Sequence, residues 1–213
     1  MKHSINGFIR QLNLLALLLV VLLVTGSAQA MQAPDIVVKN TIDKMVNNIQ
    51  ANRAMYRKDS NKLYAMVERV LVPTLHLERM SKLVLGKQSA SAASQAQMAA
   101  FVNEFKTYLM RSYATALLEY TGEEKVIYQP LNLEPGADKA VVRASLIASD
   151  GQEYPINLYM SNRRDTSWRA YNLDVAGINF VSIYRSTFGD IIAKKGVDGL
   201  ITELRVKNSK TAS

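Results

Sequence analysis

The sequence predicts an α+β fold, with an antiparallel sheet of four strands and helices gathered before and after it. Three observations carry this. Apolar residues recur at helical spacing up to about Tyr120, alternate as in strands from Val126 to Val175, and return to helical spacing beyond Gly177. The strand segments are joined by short turns at Glu134-Pro135-Gly136, Asp150-Gly151 and Arg164-Asp165-Thr166-Ser167, and short turns impose sequential antiparallel pairing. The chain of 213 residues has no cysteine, so packing alone must hold its core together.

Residues 1–30 read as a secretory leader. Lys2 and Arg10 make a positive start, Leu12 to Val24 is an apolar run broken only by Asn13, and Ala28 and Ala30 hold the small-residue positions of a cleavage site. The run is short for a retained membrane span. A cut after Ala30 is therefore expected, leaving residues 31–213 as a single domain of 183 residues. Lys2 and Arg10 leave with the leader and no acidic residue does, so the net charge falls from +8 to +6. A leader without disulfides fits a bacterial periplasm. The positive charge serves solubility and favours anionic surfaces or acidic partners. Nucleic acid is not indicated, because no basic run is interleaved with aromatics.

The first helix runs from Asp35 to about Tyr56, on Ile36, Val37, Ile42, Met45, Val46 and Ile49. Asp59-Ser60 opens a second, which Pro73 stops. A third, Leu75 to Leu85, ends at Gly86 as a left-handed residue, and Ser89 to Ser94 follow as a loop. The longest helix spans Gln95 to Tyr120 and has a broad apolar face. Four strands follow: Val126–Leu133, Lys139–Ser149, Gln152–Asn162 and Trp168–Val175. Asp150-Gly151 reads as a two-residue hairpin turn with positive φ at both positions. Val142, Ala144, Leu146 and Ala148 share one strand face, as do Tyr154, Ile156, Leu158 and Met160. In the last strand Arg169 shares the parity of Tyr171, Leu173 and Val175, which predicts a bulge or burial on both faces. After Gly177 comes an amphipathic helix, and Gly196-Val197-Asp198-Gly199-Leu200 turns it into a last short one.

Catalytic chemistry is thin. His3 belongs to the leader, so His76 stands alone: no cysteine or second histidine is left to complete a zinc set, a nucleophile–histidine apparatus would have to use His76, and no G-x-S-x-G precedes a helix, so a lone surface histidine is the better reading. Glu123 and Glu124 are adjacent and would face opposite ways on a strand. No phosphate-cradling loop is present. Asp174 remains, either as a turn cap or as the acid of a cone-shaped enzyme cavity, beside Tyr171 and Tyr184. No cofactor and no metal are called for. Ten tyrosines against five phenylalanines, with Tyr108, Tyr113, Tyr120, Tyr171 and Tyr184 on apolar stripes, suit either an ordinary core or the mouth of an apolar cavity.

The segment from Tyr171 through Phe188, YNLDVAGINFVSIYRSTF, together with Lys195-Gly-Val-Asp-Gly-Leu-Ile201 and Lys82-Leu-Val-Leu-Gly-Lys87, resembles the MlaC family, the toluene-tolerance type of periplasmic phospholipid-binding protein. The order of elements also resembles that family over nearly the whole mature chain. Gln88-Ser89 departs from it, where an aromatic is frequent. The resemblance implies a curved antiparallel sheet packed by helices around a deep apolar cavity that takes the acyl chains of a phospholipid. It implies a carrier rather than an enzyme. Its partners would be an outer-membrane lipoprotein–porin complex and an inner-membrane ABC transporter, met through that transporter's membrane-anchored lipid-binding subunit. Outer-membrane lipid asymmetry would be the result. The family motifs put Val84, Val175, Ile178, Val181 and Tyr184 on the cavity, and face assignment adds Phe105, Leu109, Val142, Leu146, Ile156, Leu158 and Leu173. Gly177 would be a hinge between cavity wall and cavity helix. Lys194, Lys195, Arg205 and Lys207 are candidates for docking or plain solvated surface. The alternatives are an enzyme built on Asp174 and a cargo-free adaptor.

Overall fold

The computed structural model describes residues 31–163 and 166–210. The expected leader, residues 1–30, and the turn residues Arg164 and Asp165 lie outside the described residues. Helix α1 (Pro34–Lys58) starts on a proline, where a missing N–H costs nothing. Its buried stripe is Val38, Thr41, Met45, Ile49 and Tyr56. Helix α2 (Ser60–Val70) is capped as expected: the Asp59 carboxylate accepts the Asn61 N–H at 3.0 Å. Pro73 lies in a short 3₁₀ turn, Val72–Thr74.

Helix α3 (Leu77–Ala92) differs from expectation. Gly86 has the positive φ anticipated (φ 76°, ψ 163°), but it kinks the helix instead of ending it. A single glycine interrupts one residue's geometry, and Lys87–Ala92, with alanine at 90 and 92, resume the helix. The loop shrinks to Ala93-Ser94, and Ser94 and Gln97 form a reciprocal capping box for α4 (Gln95–Tyr113). α4 also stops earlier than Tyr120. Ala114–Glu119 tighten into 3₁₀ turns. Ala114 and Leu118 pack with Met45, Ile49, Leu63 and Met66 of α1 and α2, and this packing outweighs continued α-helical spacing.

The sheet is antiparallel and has five strands rather than four, in sequential order: β1 (Lys125–Tyr128), β2 (Lys139–Ile147), β3 (Glu153–Ser161), β4 (Arg169–Val175) and β5 (Ile178–Asn179). β5 has two residues, too few to show alternation. β1 ends well short of Leu133. Gln129 N–H still reaches the Arg143 carbonyl at 2.9 Å, but Pro130 has no N–H to continue the ladder. Of the two readings of the last strand, a bulge or burial on both faces, the bulge is present: Met160 pairs with Ala170 and Tyr159 with Asn172, leaving Tyr171 as the extra residue. At Asp150-Gly151 only Gly151 has positive φ (83°). Its N–H bonds to Ala148 O at 2.9 Å and Ala148 N–H to Gln152 O at 2.9 Å, which closes a three-residue loop. The two-residue turn with both φ positive lies instead at Ala176 (51°) and Gly177 (81°), between β4 and β5.

Helix α5 (Phe180–Lys210) closes the fold and is kinked at Gly196 (φ 67°). Buried residues form three clusters: α3, α4 and α5 around Phe101, Phe105 and Phe188; α1, α2 and the 3₁₀ segment around Leu63; and α1 against the sheet around Val142, Met160 and Trp168.

Candidate functional site: an apolar sheet face ending at an aromatic corner

Register sets the wall of the site. Val142, Leu158 and Leu173 lie side by side across three strands, as do Ala144, Ile156 and Val175. Leu146 pairs with Tyr154, and Val175 with Ile178. Alternation puts all of these on one face. Seven of the twelve residues expected at the site, Val142, Leu146, Ile156, Leu158, Leu173, Val175 and Ile178, are therefore neighbours. No charged side chain interrupts the face. Its Ala140–Met160–Ala170 end is buried beneath α1, with Val38 and Trp168. Exposure then rises through the half-buried Ile156 and Val175 to Ile178, which is 59% exposed. The face is covered at one end and open at the other.

The other five expected residues lie in the helical layer. Val84, Phe105, Val181 and Tyr184 are buried in the α3–α4–α5 cluster, and Leu109 packs at its margin. The rings there are closely arranged. Phe101 stacks on Phe105 at 5.5 Å, and Tyr184 meets Phe105 edge-on at 5.2 Å and lies tilted to Phe188 at 5.4 Å. The two groups approach where β4 and β5 give way to α5. Asn172 on β4 accepts the Val181 N–H at 3.2 Å, and Asn179 accepts the Ser182 N–H at 3.1 Å, which caps the start of α5. Phe180 fills the corner, 4.8 Å from the Tyr184 ring and 6.2 Å from that of Tyr113. Phe180 and Asn172 were not singled out from the sequence. Both stand in the stretch quoted there, and an asparagine at a strand-to-helix junction was the available signal.

The Tyr113 and Tyr184 hydroxyls are 2.7 Å apart. Burial above all, and the bond to Tyr113, push the Tyr184 phenol well above its ordinary range. Asp174 belongs to the opposite face of the sheet, in a row with Asn157 and Arg143. It does not adjoin the apolar wall, and its carboxylate accepts the Gly177 N–H at 3.1 Å, as a turn cap does. His76 likewise caps α3, with Nδ1 accepting the Arg79 N–H at 3.4 Å. Among the described residues no group of three or more His, Cys, Asp or Glu could hold a metal ion. Of the candidate docking cations, Lys195 pairs with Glu203 at 2.8 Å and Arg205 with Glu104 at 3.0 Å, while Lys207 lies over the Tyr108 ring at 5.7 Å. A groove of about 710 Å³ runs between α3 and α4, lined by Leu77, Ala90, Met98 and Val102, and none of the twelve expected residues lines it.

The family described as MlaC protein matches residues 39–206. The chain belongs to the MlaC family. Among its relatives, the toluene tolerance protein ttg2D of Pseudomonas putida is 30% identical over 169 residues, covering 79% of this chain and 77% of that protein. The intermembrane phospholipid transport system binding protein MlaC of Haemophilus influenzae is 28% identical over 201 residues, 92% of each chain. A phospholipid-binding protein from Ralstonia solanacearum, solved in complex with a phospholipid, superposes with a TM-score of 0.76 over 85% of this chain and all of that one, at 23% identity. The α+β architecture with its curved antiparallel sheet is thus the MlaC fold.

Proposed function

We propose that this MlaC-family chain is a periplasmic phospholipid carrier. It buries acyl chains against the apolar sheet face and shuttles them between the outer membrane and an inner-membrane ABC transporter, maintaining outer-membrane lipid asymmetry. One observation supports this above the rest: the face from Leu146 to Ile178 carries no charged side chain, is covered at one end and is open at the other. A filled, closed core would suit a cargo-free adaptor instead. The name of the Haemophilus influenzae relative and the phospholipid in the structural neighbour point the same way. The partners follow from the transport system: a lipoprotein–porin complex on the outer side, and the transporter's lipid-binding subunit on the inner. A leader cut after Ala30 would deliver residues 31–213 as one domain. No helix among the described residues is long and apolar enough to cross a membrane.

The physical demand on a carrier is specific. Two chains of about 16 carbons, at roughly 0.8 kcal/mol per CH₂, cost on the order of 25 kcal/mol to expose to water. Nearly all of that must be offset, yet delivery stalls if binding greatly exceeds what the bilayer offers. Weakly directional apolar walls meet both conditions. An enzymatic role for Asp174 has no such support, because its carboxylate faces away from the wall.

Ile178→Glu tests the reading. The position is exposed, so the fold tolerates the change, but a carboxylate would then stand among the acyl chains. Phospholipid co-purified with the variant, measured by mass spectrometry, should fall several-fold against the wild type. Unchanged occupancy would remove the sheet face as the binding wall.

A further inference from the structure

We propose that Tyr113 is the gate of the apolar face: its hydroxyl bond to Tyr184 closes the mouth at the β4–β5 corner and parts when a phospholipid enters or leaves. The inference rests on the phospholipid-carrier reading above. The two hydroxyls bond at 2.7 Å, but their settings are unequal. Tyr184 is 5% exposed and held by rings on several sides, while Tyr113 is 51% exposed. One partner is fixed, and the other can turn into water without uncovering a core.

Position gives this motion a purpose. Tyr113 is the last residue of α4, where the helix passes into the 3₁₀ turns of Ala114–Glu119. Such 3₁₀ turns are frequent where an α-helix ends. From there its ring reaches Phe180, the first residue of α5 and two beyond the exposed Ile178. Tyr113 therefore spans from the end of α4 to the start of α5, which directly follows β5. The hairpin beside it holds a non-glycine residue, Ala176, at positive φ (51°), a strained conformation of the kind that gathers at working sites. A neutral hydroxyl bond with one half-exposed partner is also weak enough to break and re-form at each exchange. No other group bonds the Tyr184 hydroxyl among the described residues, so opening leaves it free to meet an ester or phosphate oxygen of passing lipid.

Vesicles of phosphatidylethanolamine and phosphatidylglycerol carrying a fluorescent phospholipid provide the test. Tyr113→Phe keeps the ring and removes the bond. It should exchange lipid with the vesicles several-fold faster than the wild type, while the phospholipid content of the purified protein stays unchanged. Tyr184→Phe loses the same bond and should also exchange faster, and the double variant should be no faster than Tyr184→Phe, because one bond is lost in all three. Exchange at the wild-type rate in Tyr113→Phe, or additive effects in the double variant, would overturn the gate while leaving lipid binding intact. A wild-type protein that neither carries phospholipid nor takes it from vesicles would overturn the carrier reading, and the gate with it.

Discussion

Ile178 and Val181 are three residues apart and stand in different physical situations. Ile178 is exposed at the end of the sheet, while Val181 is 4% exposed within the α3–α4–α5 cluster. Val181→Glu would bury an unpaired carboxylate in a packed core and cost several kcal/mol, on the order of what an uncompensated buried charge costs. It should lower the thermal midpoint strongly, and Ile178→Glu should not. Parallel melts check this, and they show why lipid loss in Ile178→Glu is the cleaner evidence. Tyr184 adds a pH signature. Its pKa is raised from the ordinary 10.0, chiefly by burial and then by its bond to Tyr113. The unfolded chain thus gives up this proton first as pH rises. The stabilising effect is whole below pH 10.0 and is lost as pH climbs from there toward the raised folded value. Denaturant titrations at rising pH should show stability falling above about 10, with a shallower fall in Tyr184→Phe. An equal slope in both would remove Tyr184 as a cause.

At the scale of elements, the backbone exceptions carry the predictions. A side chain at Gly86 would meet no atom within 4 Å, so the cost of Gly86→Ala lies in its positive φ alone. Equilibrium unfolding should show a loss of about 1–3 kcal/mol. Ala176→Gly should do the reverse. It relieves a left-handed alanine, about 1–2 kcal/mol, against added freedom of the unfolded chain of about 0.4–1 kcal/mol, so the net gain should be about 1 kcal/mol or less. What was legible in the sequence follows from these cases. Asp59 and the Tyr171 bulge were visible because a cap and a parity conflict are local signals. Gly86 reads as a helix end in the sequence because a positive φ looks the same there whether or not the helix resumes. α4 is shorter than its apolar spacing predicts because Ala114 and Leu118 keep that spacing but pack on α1 and α2. β5 is too short to have a period.

For the molecule as a whole, the site divides along the same line. Strand parity put Val142, Leu146, Ile156, Leu158, Leu173 and Val175 on the faces that the register joins into one, because alternation fixes a face without knowledge of the third dimension, whereas Ile178 joins them only through the two-residue β5. Helical stripes could not separate a cavity wall from a packed core, since both ask for the same apolar residues. Val84, Phe105, Val181 and Tyr184 accordingly sit among close-packed rings and aliphatic chains. The expected hinge at Gly177 becomes one residue of a strained two-residue turn beside an aromatic corner, with Tyr113 at its edge. A carrier with an open apolar face should also gain stability from its cargo, since a ligand that binds only the folded state raises the unfolding midpoint. Delipidated protein should melt below loaded protein and recover on incubation with phospholipid vesicles; identical midpoints would speak against cargo on the folded chain. The most direct measurement is mass spectrometry of lipid extracted from the protein purified from its own periplasm. Carriage on the sheet face predicts phospholipid in near-stoichiometric amount in the wild type and a several-fold loss in Ile178→Glu. Protein that is folded, soluble and free of phospholipid in its native compartment would contradict it.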